Sequence, residues 1–118
     1  MTNPVRRQCT DAQIEKLLAA INAVRTLDPD MPAQVLATLL YVASHDKCHK
    51  QAIEEDLGLT PASGSRNTDW LATLNRHKQP GLNLVRKVPD PTNRRRIQLQ
   101  LTTEGGLLIE TLRSLLYG

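Results

Sequence analysis

Lys50-Gln51-Ala52-Ile53-Glu54-Glu55-Asp56-Leu57-Gly58-Leu59-Thr60-Pro61-Ala62-Ser63-Gly64-Ser65-Arg66 is the stretch whose reading decides the fold. Gly58, directly after the apolar Leu57, supplies the αL-tolerant residue that ends one helix and reverses the chain tightly. Thr60 then offers an N-cap and Pro61 a first helical residue with preset φ, so a second helix starts at once. Two helices across so short a turn form a helix-turn-helix, expected over about residues 50–76. At about 100° per residue, Gly64, Asn67, Thr68, Leu71 and Leu74 share the inward face of the second helix, while Ala62, Ser65, Arg66, Asp69, Thr73 and Arg76 point away. Gly64 costs roughly 1 kcal/mol relative to Ala in a helix, which a close approach by the preceding helix accounts for.

Downstream, a loop over Asn75–Asn83 leads to two strand-like runs, Leu84–Val88 and Ile97–Leu101. In the second run Ile97, Leu99 and Leu101 alternate with Gln98 and Gln100, the period of a half-buried strand. Between them lies Asp90-Pro91-Thr92-Asn93-Arg94-Arg95-Arg96, a turn sequence with three cations at its apex. A hairpin with a basic tip directly after a helix-turn-helix is a wing, expected over about 84–101. The fold class is therefore mainly α (α+β): a winged helix-turn-helix with a two- or three-stranded β wing and flanking terminal helices. Asp90 is expected to orient Arg94 or Arg95 rather than to act as a catalytic acid, because no second acid lies near it in sequence.

Outside this segment, residues 1–9 lack periodicity and read as a flexible arm, leaving 10–118 as one domain. Thr10-Asp11-Ala12-Gln13 fits a capping box, and Ile14, Leu17, Leu18, Ile21 and Val24 recur at helical spacing to about Leu27. Asp28-Pro29-Asp30 breaks that helix. Asp30 or Met31 can cap a second one, with Pro32 in its first turn, running to about Ser44. His45-Asp46-Lys47 reads as a turn and Cys48 as part of a very short strand. A last helix over about 103–117 carries Leu107, Leu108, Leu112, Leu115 and Leu116. Helix one and the last helix present more apolar side chains than a thin core covers, which predicts a homodimer formed through the N- and C-terminal helices.

The charge is modest overall, +3, but unevenly spread. Residues 60–96 hold eight Lys and Arg against Asp69 and Asp90, a net of +6, so the remainder carries −3. A basic segment on an acidic body is the footprint of a polyanion binder. Aromatics are limited to Tyr41, Trp70 and Tyr117, too few for a base-stacking platform, so duplex DNA is favoured over single strands. No run approaches the roughly 20 apolar residues of a membrane span, the N-terminus lacks the apolar core of a signal peptide, and Cys9 and Cys48 are too few for a disulfide scaffold; a cytoplasmic location with reduced thiols is expected. Nucleophile-elbow, phosphate-loop and paired-acid motifs are lacking, so no enzymatic function and no cofactor are expected. His45, Asp46, Cys48 and His49 offer awkward spacing for zinc and read as turn and strand residues. Cys9, beside Arg6-Arg7 and a helix N-terminus, has the setting of a lowered thiol pKa and is the one candidate redox residue.

Leu57-Gly58-Leu59, Ser63-Gly64-Ser65-Arg66, Asp90-Pro91 through Arg94-Arg95, and Leu101-Thr102 followed by Gly105 resemble the MarR-type winged-helix transcription regulators over roughly residues 31–110. The resemblance implies dimers whose terminal helices pair, with the second helix of the turn motif in the major groove and the wing in the minor groove. It assigns the wing-tip role to Arg94 and Arg95 and the groove-reading role to Ser63, Ser65 and Arg66. The full candidate DNA-binding set is Thr60, Pro61, Ala62, Ser63, Ser65, Arg66, Asp69, Arg76, Lys78, Arg94, Arg95 and Arg96. Departures from the pattern are Thr92 in place of an arginine, Asn93 in place of an acid, Gly64 in place of a small aliphatic residue, and His49 in place of a Ser or Thr cap. The loop before the wing, 75–83, is longer than usual; the chain is short for the family, so a large effector pocket is not expected. The alternative reading is a protein-interaction module on the same scaffold.

Overall fold

A computed structural model describes residues 7–74 and 77–118; Arg76, Arg6 and most of the arm expected over 1–9 lie outside the described residues. The elements are α1 (Ala12–Leu27), α2 (Ala33–Ser44), β1 (Cys48–His49), α3 (Lys50–Leu57), α4 (Pro61–Leu71), β2 (Val85–Pro89), β3 (Ile97–Leu101) and α5 (Thr103–Tyr117). The sheet has the order β1-β3-β2 and is antiparallel throughout, so the wing is three-stranded. Cys48 pairs with Leu99 and His49 with Gln98, while Val85 to Pro89 run against Leu101 to Ile97. Leu39, Ile53, Leu71, Leu99, Val35 and Val85 are the most deeply buried side chains, so the core lies where α2, α3 and α4 meet the sheet.

Local chemistry explains most boundaries. Gly58 takes φ 67° and closes α3, its neighbour Leu59 donating to the Glu54 carbonyl at 2.8 Å. Thr60 caps α4 by accepting from the Ser63 amide at 3.1 Å, with Pro61 as the first helical residue. A methyl on Gly64 would overlap the Glu54 carboxyl group of α3, the close helix approach its presence implied. At α1 the cap shifts by one residue from expectation: Asp11, not Thr10, accepts from the Gln13 and Ile14 amides at 3.1 and 3.2 Å. At α2 neither Asp30 nor Met31 caps; Pro32, in extended conformation, occupies the cap position itself, with no side-chain bond.

Two larger corrections concern the segment after α4 and strand β3. α4 ends at Leu71, not near Arg76, because its last carbonyls bond to the returning chain instead of continuing the helix. Leu82, Leu84 and Asn83 donate to the carbonyls of Trp70, Leu71 and Ala72 at 3.0, 2.9 and 3.2 Å, and Thr73 Oγ1 donates to Asn83 Oδ1 at 2.6 Å. Leu74, expected to face inward, is therefore exposed. In β3 the simple alternation fails: Gln98 is buried while Ile97 is 39% exposed. β3 is the middle strand, so Gln98 is flanked by His49 and Val88, whereas Ile97 lies at the wing end with Pro89 as its one strand partner.

The junction into α5 explains the Leu101-Thr102-x-x-Gly105 spacing. Thr102 Oγ1 accepts from the Gly105 amide at 3.0 Å and donates to the Asn83 carbonyl at 2.6 Å. A side chain on Gly105 would overlap the Leu84 carbonyl oxygen. α5 then packs along α1. The radius of gyration, 16.8 Å, exceeds the roughly 13.5 Å of a compact domain of this length. The elongation leaves Ile14, Leu17, Leu18 and Leu107 at least half exposed. No described helix is long and apolar enough to cross a membrane.

Candidate nucleic-acid interface

α4 presents a short polar N-terminal turn followed by a single cation. Thr60, Pro61 and Ala62 are exposed, Ser63 and Ser65 half-buried, and Arg66 exposed with Nη2 donating to Ser63 Oγ at 3.1 Å. That bond lays the guanidinium along the outer face of the first turn. Asp69, also placed outward by the helical spacing, is mostly covered: Lys87 of β2 pairs with its carboxylate. The sheet thus neutralises the one acid on this face of α4. Lys78 is exposed at φ 59° on the ribbon that follows the helix.

The wing tip is a closed turn. Asp90 N donates to the Arg96 carbonyl at 3.0 Å, Arg96 N to the Asn93 carbonyl at 2.9 Å, and Arg95 N to Asn93 Oδ1 at 3.1 Å. Arg94, Arg95 and Arg96 are exposed along this turn. Asn93, which departs from the acid usual in such wings, is thus used as an Asx-type turn former.

Asp90 does not orient Arg94 or Arg95 as the sequence suggested. Its carboxylate is buried and accepts from Thr92 N and Thr92 Oγ1, each at 2.8 Å, while His49 Nε2 lies 2.5 Å from Oδ2. The Thr92 amide and hydroxyl, and then His49, hold the Asp90 carboxyl at a pKa of about 2, so it is an acceptor and the imidazole Nε2 carries the donated hydrogen. His49 is the cap residue of α3 yet makes no side-chain cap bond. Its ring is committed to the wing instead. Sequence reasoning passed over this contact; the one sign of it was the pair of departures, His49 for a hydroxyl cap and Thr92 for an arginine.

These elements converge. A cleft of about 430 Å³ is lined by His49 and Lys50 at the start of α3, Pro61 and Ser65 of α4, and Arg95 and Arg96 of the wing. Lys50, absent from the candidate set, pairs with Glu54 and donates to the Pro61 carbonyl at 3.2 Å, bracing the turn. A second, apolar groove of about 500 Å³ lies between α1, α2 and α5, with Leu17, Ile21, Leu36, Leu40, Leu116 and Tyr117 among its lining residues.

The remaining candidates separate from the interface. His45 stacks on Tyr41 at 3.8 Å between ring centroids, and Cys48 is buried with Sγ 3.6 Å from the Leu99 carbonyl, where burial pushes its thiol pKa up. Cys9 is exposed, but the expected lowering of its pKa is reversed: a hydrogen bond with Glu15, in the first turn of α1, pushes the thiol up. That contact disfavours a ready thiolate at Cys9.

Neither a known family profile nor a curated protein matches the sequence. Solved structures do match the fold. The chain is similar to MepR of S. aureus in its DNA complex, with a TM-score of 0.68 at 23% identity over 86% of this chain and 76% of that one. Apo MarR from E. coli gives 0.63 at 18% identity over 90% and 71%, and the transcriptional repressor CouR bound to a 23-mer DNA duplex gives 0.63 at 21% over 88% and 66%. The architecture is the MarR-type winged helix.

Proposed function

We propose that this chain, built on the MarR-type winged-helix fold, is a sequence-specific duplex-DNA-binding transcriptional regulator that acts as a homodimer. The observation that carries the reading is the shared cleft: Pro61 and Ser65 of α4 and Arg95 and Arg96 of the wing, some thirty residues apart in sequence, line one cationic surface. A helix of this diameter fits the major groove, and a projecting basic turn beside it reaches the adjacent minor groove or its phosphates. Thr60 to Ser63 at the start of α4 would approach the backbone, and Ser65 and Arg66 the base edges, where a guanidinium can bond bidentately to guanine. Lys78 adds a phosphate contact from the ribbon. Asp69 acts indirectly, by holding Lys87. The DNA-bound state of MepR and CouR supports the choice of duplex DNA as the polyanion.

The exposed stripe of Ile14, Leu17, Leu18 and Leu107 supports self-association. A two-fold axis through the terminal helices would set two α4 helices roughly one DNA turn, about 34 Å, apart.

The test compares Arg66→Ala with Arg95→Ala on selected and scrambled duplexes across salt. Arg66→Ala is expected to cost about 1–3 kcal/mol on the preferred site and to relax preference at one base position. Arg95→Ala is expected to weaken binding on all duplexes and to lower the salt slope by about one. Unchanged affinity in both variants would refute groove-and-wing docking and leave a protein partner as the better account.

A further inference from the structure

We infer that His49 is a positioning residue for DNA binding, one that holds the arginine tip of the wing at a set angle to the helix-turn-helix through Asp90. The inference rests on the duplex-binding reading above and adds to it a residue that touches no base or phosphate.

Two features hold the tip of the wing to its strands. One is the β2–β3 ladder, which runs from Val85↔Leu101 up to Pro89↔Ile97 and ends there. Beyond it the seven residues Asp90–Arg96 have no strand partner. The other fastening is Asp90 itself. Its backbone amide closes the tip on the Arg96 carbonyl, and its carboxylate closes the near side on Thr92 N and Oγ1. Asp90 therefore ties both ends of the turn that displays Arg94, Arg95 and Arg96, while Asn93 shapes its apex through the Arg95 and Arg96 amides.

That residue is fixed from outside the wing by His49 alone among the contacts described for its side chain. His49 sits at the junction of β1 and α3, opposite Gln98 in the ladder and directly before the first residue of the helix-turn-helix. Its ring bridges the helix-turn-helix to the far end of the wing, beyond the Lys87–Asp69 pair and the β1–β3 pairing that join the two elements lower down. Asp90 is 5% and His49 27% exposed at the side chain, so the bond is shielded where it accepts and reachable where it donates. In such a setting a hydrogen bond to a charged acceptor is stronger than a neutral one in water. The cost is an α3 without a side-chain cap, which is what a residue retained for the wing rather than for the helix would leave behind.

The experiment measures duplex affinity and its salt slope for His49→Leu and His49→Gln, each in the wild-type background and in an Arg94→Ala/Arg95→Ala background. Gln places an amide N–H near the position of Nε2; Leu keeps volume and removes the donor. His49→Leu is expected to lower the salt slope by about two, the share of two arginines at roughly 0.9 per phosphate, with a loss of affinity of about tenfold or more. His49→Gln should restore most of both. In the background lacking Arg94 and Arg95, His49→Leu should have no further effect, since a residue that works through the wing cannot be additive with loss of the wing. A role confined to folding of α3 would persist in that background and overturn the inference, as would a His49→Leu slope equal to wild type. Thr92→Val, which takes a second donor from Asp90 without touching α3, provides the same comparison should His49→Leu fail to fold: it too should lose slope only when Arg94 and Arg95 are present, and additivity there overturns the inference. Wild-type chain without affinity for any duplex would bring down the DNA reading and this inference together, whereas wild-type binding with unaltered variants brings down this inference only.

Discussion

Replacing Thr102 by Val removes one hydroxyl with almost no change in volume or branching, at the point where the sheet hands the chain to α5. In the folded protein that hydroxyl accepts from the Gly105 amide at 3.0 Å and donates to the Asn83 carbonyl at 2.6 Å. Losing the first interaction uncaps α5, typically about 1 kcal/mol. Losing the second leaves a half-buried carbonyl short of a donor, for about 1–2 kcal/mol more. The expected destabilisation is about 2–3 kcal/mol, or roughly 10 °C in Tm at about 4 °C per kcal/mol for a domain of this size. Thr102→Ser retains both bonds and should lose less than about 1 kcal/mol. Thermal and urea unfolding followed by circular dichroism, at one fixed protein concentration because association raises apparent stability, measures both variants. A Val variant within about 0.5 kcal/mol of wild type, or a Ser variant as unstable as the Val one, would refute the assignment of this hydroxyl as a joint between wing and terminal helix.

Self-association should depend on side chains exposed in the protomer: Leu17→Asp/Leu18→Asp is expected to sediment as a folded monomer at tens of micromolar, whereas Leu112→Asp, at a position 6% exposed, should unfold the chain. A dimeric double variant, or a monomeric wild type at that concentration, would contradict this. Asp90, with its carboxyl held at about 2 against an ordinary 3.8, stabilises the fold fully above about pH 4 and loses that contribution as pH falls toward 2, since the unfolded chain takes up the proton first. Asp90→Asn should remove this part of the acid sensitivity, and parallel urea midpoints of the two proteins from pH 5 to 2 would count against it. Gly81→Ala, which sets a methyl against the backbone carbonyls of Asp69 at 2.8 Å and Trp70 at 3.0 Å, should cost about 1–3 kcal/mol; a neutral or stabilising result would mean that the ribbon after α4 does not pack on the helix end.

What the sequence by itself determined is whatever depends on neighbours within a few residues. Gly58 could only end α3, Thr60-Pro61 could only open α4, and the polar run at Asp90–Arg96 between two strand-like runs could only be a hairpin tip; each follows from local sterics and capping, and each stands in the structure. The helical spacing of Leu and Ile in α1 and α5 likewise sets an apolar stripe independently of any tertiary contact. Tertiary structure decided the rest. Where α4 stops depends on residues 82–84 returning to occupy its last carbonyls, and Gln98 is buried because β3 acquires neighbours on both sides. The partner of Asp90 is His49, 41 positions away, and the partner of Asp69 is Lys87. A carboxylate takes whichever donor the fold brings within reach, and that reach is a property of packing between elements, to which spacing along the chain is blind.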